Sequence, residues 1–441
     1  MKAPSEIMHK QAGPDTVVRI DILEGVRGLL ASWVMIGHFI YFLAMPNIMM
    51  GQGYPQWLIQ LALTIRDGVA PVAIFMIISG FVISHLIVSR KEPYKAYITR
   101  RFLRLFPAFA CCLLLGVLIS PLQSALVELP WSMEPWVHHQ ADLGQIHRDY
   151  AIQNIIAHLT LMHGFIPKSW WPDATGAFIG VGWSIATEWQ FYLVAPLLIW
   201  GGRTLQGLTV IALVMLFLSP LLPFTGYFEE EFTNESHSLL IFHIQYFFIG
   251  GVCYQLWRMW REYLAGSNKP RPQGIILCGS IIALFALAIT LPSGIPNAIP
   301  LQNGMQSPVI LVPNLTVPVW IFVFACLCQI AAKPDGIEAR IVQAVGCSEP
   351  AQFIGRISYS IYLVHWPIAI ILLKFIKSFP TSSAFSLWTT FIVVASLVTI
   401  GVSTVLYYFV EAPAIRWGKK LFKEDKPAPD VVGPVSSRRG T

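Results

Sequence analysis

An arginine and a histidine in the first apolar segment are the residues whose types and spacing point most directly to chemistry. Arg27 and His38 lie in residues 19–41, eleven positions apart. At about 100° per residue this separation is about three turns plus 20°, so both side chains share one helix face, about 16 Å apart along the axis. Guanidinium groups bind phosphate oxygens, and imidazole accepts protons near neutral pH. The pair indicates an anion-binding group near one membrane surface and a base or nucleophile near mid-bilayer.

Structural explanations compete with this interpretation. An ionisable side chain inside a membrane segment is unfavourable by about 2.5–3.5 kcal/mol on insertion scales, so it usually faces a cavity or a partner and marks a functional site. However, His38 can also form a hydrogen bond between helices that only stabilises a bundle. Arg27 can also be an anchor whose guanidinium reaches the membrane surface. These residue types alone leave both explanations open.

The composition is that of a multi-span membrane protein. Of the 441 residues, 55% are hydrophobic and 12% are charged, and the mean hydropathy is +0.60, far from the averages of soluble domains. Seven cysteines and the histidines lack the spacing of a disulfide framework or a metal site, so we expect neither. The net charge is +6. The basic residues are concentrated on one set of loops, as in membrane proteins, so we expect no nucleic-acid partner.

Ten apolar runs are long enough to span a bilayer. They cover about residues 25–45, 68–89, 102–121, 181–200, 206–224, 239–257, 274–292, 309–331, 353–376 and 385–410. Most basic residues lie on one set of loops; the other set has only Arg66, Arg148, Lys168, Lys374 and Lys377. The positive-inside rule therefore places both termini in the cytoplasm. The sequence predicts an all-α polytopic membrane protein with about ten transmembrane helices, multi-pass in the cell inner (plasma) membrane.

The chain divides into three predicted parts. Residues 1–18 are a polar cytoplasmic segment without a cleavable signal, residues 19–417 form the transmembrane core, and residues 418–441 form a disordered cytoplasmic tail rich in Pro, Gly and charge. Within the core, residues 122–180 are a long extracytoplasmic loop with four tryptophans, in which residues 151–164 are suited to a helix lying on the membrane interface.

Further charged and titratable residues lie in or beside the predicted spans. Arg101 and Arg104 follow the second span at a helical i, i+3 spacing, which suits either recognition of an anionic cytosolic ligand or ordinary positive-inside anchoring. Glu188 and His365 lie within spans, and a purely structural hydrogen bond between helices would also explain His365. Glu411 also has a purely structural explanation, a salt bridge to Arg416 or to a cytoplasmic arginine.

Six motifs in order carry a resemblance to a known family. They are RIDILEGVRGLLASWVMIGH, FMIISGF, RRFLRLFP, WSIATEWQFYLVAP, RISYSIYLVHWP and YYFVEAP. Over residues 19–417 the chain resembles the acyltransferase-3 family of integral-membrane O-acyltransferases. This implies a ten-span core that passes an acyl group, typically acetyl from cytoplasmic acetyl-CoA, to sugar hydroxyls across the membrane. Some members carry an esterase-like domain after the core, so we expect a separate extracytoplasmic partner protein here.

The resemblance also implies roles for ten residues. His38, Glu188 and Glu411 are the expected catalytic groups; Arg27, Ser79, Arg101 and Arg104 the acyl-CoA-binding groups; and Tyr192, Tyr359 and His365 the acceptor-binding groups. We expect no bound cofactor and no metal. We do expect acyl-CoA as a co-substrate, a carbohydrate as the acceptor, and contact with membrane lipid. The sequence departs from the family pattern at two places. It has DILEGVRG where many relatives have D-G-L-R-G, and ATEWQFY where SVEEQFY is common, and these differences leave the details of the substrate open.

The expected mechanism uses His38 as general base towards the acceptor hydroxyl, or as a nucleophile that briefly holds the acyl group. Glu188 or Glu411 is expected to orient it, and the residues do not choose between the two. The rival class is a polytopic transporter or flippase of a saccharide or small metabolite, which also needs many spans and ionisable groups inside the membrane. Inverted repeats would favour that class, and the sequence has none that we recognise.

Overall fold

The fold is described from a computed structural model. It covers residues 21–90, 92–123, 129, 131, 135–224, 238–264, 272–290, 315–332, 336–376 and 383–422. Across these residues every regular element is a helix. The predicted all-α class is thereby confirmed.

The described residues form seventeen α-helices. These are α1 (Asp21–Phe42), α2 (Met45–Gly51), α3 (Gln56–Arg66), α4 (Val69–Ser89), α5 (Tyr94–Ile119), α6 (Pro135–Asp149), α7 (Ala151–Leu159), α8 (Gly182–Gly201), α9 (Leu205–Phe224), α10 (Ile244–Leu264), α11 (Pro272–Thr290), α12 (Thr316–Ala332), α13 (Ile337–Gly346), α14 (Glu349–Arg356), α15 (Ser358–Lys374), α16 (Ala384–Leu406) and α17 (Ala412–Leu421). Each of the ten predicted spans overlaps at least one of these helices, but the predicted span 353–376 covers both α14 and α15, and residues 291–292 and 309–314 of two other spans lie outside the described part.

Fewer of these segments meet a strict requirement for crossing a membrane. Within the described ranges, four are long and apolar enough: Ile22–Phe42, Gln56–Ser89, Tyr94–Gln123 and Ala384–Leu421. A fifth is the pair α14 and α15, which is bent by 66°. Large apolar side chains such as Leu118 and Leu197 are exposed on the outer helix surfaces, as lipid contact requires. The protein is therefore a multi-pass membrane protein, while ten spans and cytoplasmic termini stay predictions.

Helix α1 is held at both ends by close contacts, which fixes the positions of Arg27 and His38. Gly28 packs against the backbone of α14 so closely that a Cβ would lie 2.7 Å from the nitrogen of Gly355. Near the other end, a Cβ on Gly37 would lie 2.7 Å from the carbonyl oxygen of Ile65, which also accepts from the Trp33 indole nitrogen at 3.0 Å. Small residues allow such backbone approach between membrane helices. Arg27 lies beside the Gly28 contact in the second turn of α1, and His38 directly follows Gly37 towards the other end of the helix.

Helices α4 and α10 pack against each other through a pair of glycines. A Cβ on Gly80 would collide with the Phe247 carbonyl oxygen, and one on Gly250 would lie 2.7 Å from the Phe81 nitrogen. Both obstacles are backbone atoms, which cannot rotate away as a side chain can. This contact sets the distance between the two helices that form one wall of the central cavity described below.

We expect Gly80→Ala to destabilise the protein by about 1–3 kcal/mol, the usual effect of overpacking a tight contact. Gly279→Ala on α11 is the matched control, since no described atom lies within 4 Å of its added methyl group. The measurement is the thermal unfolding midpoint of each purified variant in the same detergent. Equal midpoints for the two variants would contradict the close packing of α4 against α10.

The segment between α5 and α8 has structure of its own. It contains α6, α7 and a 3₁₀ turn at His163–Phe165. Ile152, Ile156 and Leu159 of α7 are exposed along one face, whereas its opposite face is buried on the bundle. The helix predicted within residues 151–164 is therefore present and amphipathic, though it ends at Leu159. Its place at the membrane interface stays a prediction.

The C-terminal helix extends further than the predicted boundary of the tail. After α16 the chain continues through a π-helical stretch, Tyr407–Glu411, directly into α17, which ends at Leu421. Residues 418–421 are thus helical rather than disordered, because Gly418 packs closely against Leu103 of α5. Residues 1–18 and 423–441 lie outside the described part.

Candidate active site

A cavity of about 80 Å³ lies between α1, α4, α5, α8, α10 and α15. By the usual minimum of about 10–15 Å³ per water, this is room for several waters or a thin ligand. Seven of the ten predicted site residues line it: Arg27, Ser79, Arg101, Arg104, Glu188, Tyr192 and Tyr359. His38, His365 and Glu411 lie outside its lining. Residues far apart in the chain, and named for three different roles, thus share one site.

Glu188 is the centre of a hydrogen-bond network on one side of the cavity. Its Oε1 accepts from the Ser79 hydroxyl at 3.2 Å and from the Tyr192 hydroxyl, one turn further along α8. The Arg101 guanidinium lies 5.8 Å from the centre of the Tyr192 ring, in a cation–π arrangement. Glu188 therefore has partners that orient it, and none of them is His38.

The second carboxylate, Glu411, is buried behind the cavity wall. Its Oε2 accepts from the Ser360 hydroxyl at 2.9 Å, and its Oε1 has no hydrogen-bond partner among the described residues. The charges that act on it are those of Arg104 and Arg27. Arg27 in turn interacts with Glu188 and Glu411 and is repelled by Arg104. Three guanidinium groups face two carboxylates here, which leaves a net positive charge suited to an anionic ligand.

Two of the three arginines in the RRFLR stretch face this site. Arg101 and Arg104, at i and i+3 on α5, line the cavity. Arg100 points elsewhere: it pairs with Glu92 and donates to the Phe422 carbonyl oxygen at 2.8 Å. The helical spacing that the sequence indicated thus separates two cavity arginines from one structural arginine.

His38 contacts a second histidine rather than either carboxylate. Its Nδ1 lies 2.8 Å from Nε2 of His365, and the two rings are nearly parallel at 9°. His365 is completely buried, whereas His38 is half-buried. Glu188 and Glu411, the two expected orienting groups, make their hydrogen bonds to Ser79, Tyr192 and Ser360 instead. His365, expected at the acceptor, is the group placed to orient His38.

The histidine pair adjoins the cavity through α4 and α15. Tyr362 lines the cavity, and its ring centre lies 6.0 Å from that of His365. Its hydroxyl is 2.7 Å from the Ser184 hydroxyl. Sequence reasoning missed both hydroxyl residues, although Tyr362 is three positions before His365 and so lies on the same helix face. Cavity and histidine pair are therefore neighbouring parts of one site.

Two further histidines are buried in the segment that covers the bundle. His158 and His163 are fully buried with ring centres 4.0 Å apart. Burial lowers the pKa of His158 to about 4, and burial together with the charge of His158 lowers the pKa of His163 well below its ordinary value. Within the described ranges, no group of three or more metal-ligating side chains is arranged to hold a metal ion. These rings are therefore packed as neutral groups.

We expect the stability of this segment to fall as the pH is lowered from about 6.5 towards 4, because below pH 6.5 the unfolded chain takes up protons that the buried rings do not. The slope is about 1.4 kcal/mol per pH unit for each such histidine. The measurement is the unfolding midpoint across this pH range. His163→Phe, which keeps an aromatic ring beside Phe109, should reduce the slope; equal slopes in the variant and the wild type would contradict the assignment.

The structure is that of a membrane protein with a site for anionic ligands: a helical bundle with an apolar outer surface and an arginine-lined cavity beside a histidine pair. Comparison with known families defines the class of protein. A family model described as an acyltransferase domain, acyltransferase-3, matches residues 20–408. The chain belongs to the acyltransferase-3 family, as its motifs predicted.

Individual relatives agree with this family. The chain is 24% identical over 420 residues to the O-acetyltransferase OatA of Staphylococcus aureus strain NCTC 8325, and equally so to OatA of strains COL and MRSA252. Each alignment covers 91% of this chain and 58% of the relative. The chain thus spans little more than half the length of these relatives. No solved structure matches it.

Proposed function

We propose that this protein transfers an acyl group, acetyl in the first place, from cytoplasmic acyl-CoA to a hydroxyl group of an extracytoplasmic or lipid-linked carbohydrate. It does so in the cell inner membrane, with both termini in the cytoplasm. The observation that carries this proposal is the meeting of Arg27, Arg101 and Arg104, from two helices, in one cavity beside His38.

The donor is argued from the chemistry of the cavity. Coenzyme A carries several phosphate groups, and guanidinium groups bind phosphate oxygens through charge-assisted, often bidentate, hydrogen bonds. The cavity lining runs along α4 from Ile83 to Val72, which is about 16 Å of helix. Phosphates at the arginines would leave the thin pantetheine arm to follow this wall. The thioester would then arrive one helical turn from Gly68, the residue beside His38.

The reaction needs a base at that point. A sugar hydroxyl is a poor nucleophile at neutral pH, so His38 takes its proton as the oxygen bonds to the acyl carbon. The C–S bond then breaks, and the thiolate of CoA takes the proton back from His38. The products are the acyl ester and free CoA. Such a mechanism requires both substrates to meet at the end of the cavity that lies nearest Gly68 and His38.

The relatives and the outer surface support the remaining parts of the proposal. OatA is named an O-acetyltransferase, which supports acetyl as the acyl group and oxygen as the acceptor atom. The exposed apolar faces of the outer helices support contact with membrane lipid. A carbohydrate acceptor and a separate extracytoplasmic partner protein complete the proposed set of partners.

The test uses the full chain, purified in lipid nanodiscs and supplied with [¹⁴C]acetyl-CoA. Thioester loss is followed with and without a panel of soluble glycans and lipid-linked saccharides, and CoA binding is measured separately by calorimetry. We expect CoA binding and glycan-dependent formation of a base-labile ester. Absence of both CoA binding and thioester loss would overturn the proposal. Saccharide movement across the membrane of closed vesicles reconstituted with the same protein would in that case establish the transporter or flippase.

A further inference from the structure

We infer that His365 is a positioning residue that holds His38 in one tautomer, so that Nε2 of His38 is the reacting atom, and that Gly68 keeps the space in front of this atom open. The inference rests on the proposed acyl transfer and adds to it which nitrogen reacts, from which side, and what holds the ring. It replaces the acceptor-binding role expected for His365.

The direction of each hydrogen bond follows from the ends of the chain of contacts. Nδ1 of His365 lies 3.0 Å from the carbonyl oxygen of Ile361. A carbonyl oxygen only accepts, so this nitrogen carries the proton. The Nε2 of a neutral His365 is then an acceptor, and the nitrogen 2.8 Å away, Nδ1 of His38, must donate to it. The remaining nitrogen of His38, Nε2, therefore bears a free lone pair.

This arrangement favours the protonated state that His38 passes through. When Nε2 accepts the proton of the acceptor hydroxyl, Nδ1–H of the resulting imidazolium still points at Nε2 of His365. A hydrogen bond from a charged donor is shorter and roughly twice as strong as one between neutral groups. The contact therefore strengthens as the proton is taken up, and it weakens again when the thiolate of CoA receives that proton. His365 itself neither gains nor loses a proton.

The ring of His38 is also held by packing. The Trp366 ring meets it edge-on with ring centres 5.1 Å apart, and Phe42 packs against Trp366 at 4.7 Å. The Trp131 indole nitrogen donates to the Phe42 carbonyl oxygen at 3.0 Å. Because His365 lies at Nδ1 and Trp366 packs edge-on against the ring, the imidazole has little freedom to exchange the positions of its two nitrogens.

The open side of the ring faces the junction between α3 and α4. A Cβ built on Gly68 would have Nε2 of His38 as its nearest neighbour, at 3.7 Å. Gly68 has φ −81° and ψ −13°, a backbone conformation that any residue adopts. Backbone geometry therefore does not require glycine here. Its lack of a side chain instead leaves room for a substrate beside Nε2, which agrees with the partial exposure of His38.

The kinetic test compares His365→Leu with His365→Gln. Leu keeps the volume but removes the acceptor, so we expect kcat to fall about 10²-fold, the lower end of the range that a positioned general base contributes. KM for acetyl-CoA should not change. Gln places an amide oxygen where Nε2 lay and should restore part of kcat. Trp320→Phe, which loses a buried contact to Cys253 on α10, is the control for a purely structural loss.

A second measurement does not depend on acyl transfer. Diethyl pyrocarbonate acylates an unprotonated, accessible imidazole nitrogen, and peptide mass spectrometry locates the product. We expect His38 to react and His365 to be protected in the wild type, and Gly68→Val to slow the reaction at His38. Both substitutions, Gly68→Val and Gly68→Ala, should also lower kcat, and Gly68→Ala should lower it less.

The outcomes separate this inference from the proposed function. Labelling as expected without turnover on any acyl-CoA would reject the acyl transfer and leave the geometry standing. Wild-type kcat in a folded His365→Leu, equal losses in the Leu and Gln variants, or labelling of His365 in preference to His38 would each overturn the positioning role. Unchanged labelling and turnover in Gly68→Val would overturn the role of Gly68.

Discussion

Replacing His38 by Ala should lower turnover of acetyl-CoA by about 10²–10⁴-fold, the range that a positioned general base contributes. Binding of CoA should be unchanged, since the phosphate-binding arginines lie in the cavity and His38 lies outside its lining. The measurement is steady-state thioester loss with an active acceptor, beside calorimetric titration with CoA. Both are made on protein in the same nanodiscs.

Control variants separate chemistry from folding in this experiment. His38→Gln keeps a polar side chain towards His365 but has no group that titrates near neutral pH, so it should be as inactive as His38→Ala. The unfolding midpoint of each variant shows whether the bundle is intact. A folded His38→Ala with wild-type turnover would remove His38 from the mechanism, and the inference about His365 with it.

Replacing Arg104 by Gln should weaken CoA binding by about 10- to 100-fold, which corresponds to the loss of one charge-assisted contact of about 1.5–3 kcal/mol. Arg104 lies in the cavity and acts electrostatically on both Glu188 and Glu411. The substitution therefore removes a positive charge from an anion site and also takes from the buried Glu411 the guanidinium that interacts with it most strongly. The measurement is the Kd for CoA by calorimetry.

Three variants resolve these two effects. Arg100→Gln removes an arginine of the same helix that pairs with Glu92 outside the cavity, so CoA binding should stay at the wild-type level. Arg104→Lys keeps the charge without the bidentate geometry and should bind at an intermediate level. The double variant R104Q/E411Q removes the unpaired carboxylate, so it should recover stability but not affinity. Equal affinity of Arg100→Gln and Arg104→Gln would contradict the assignment of the cavity to CoA.

Much of the cavity was predictable because its residues lie at spacings that local geometry interprets directly. The i, i+3 pair Arg101 and Arg104 faces one side of α5 as its helical period requires. Glu188 and Tyr192, four positions apart on α8, meet in a hydrogen bond for the same reason. Arg27 and His38 were placed on one face of α1, yet they serve different parts of the site because eleven residues of helix separate them.

The partner of His38 was not predictable from such spacing. His365 is distant in the chain, and only the packing of α15 beside α1 brings its Nε2 within 2.8 Å of Nδ1 of His38. The expected orienting carboxylates were reasonable because imidazole often pairs with a carboxylate in active sites. Glu188 and Glu411 instead lie close to the arginines, where charge attraction holds them.

The sequence by itself determined the helical class, the positions of the long apolar segments, the family and most of the residues that line the cavity. Hydrophobic runs, helical periodicity and the order of motifs are properties of the sequence itself, so they can be recognised without knowing the tertiary contacts. Only the tertiary structure decided which residue orients His38, which of its nitrogens is free, and that Gly68 lies before it. Those are contacts between α1, α4 and α15, and they depend on how closely glycine-bearing helix faces approach one another.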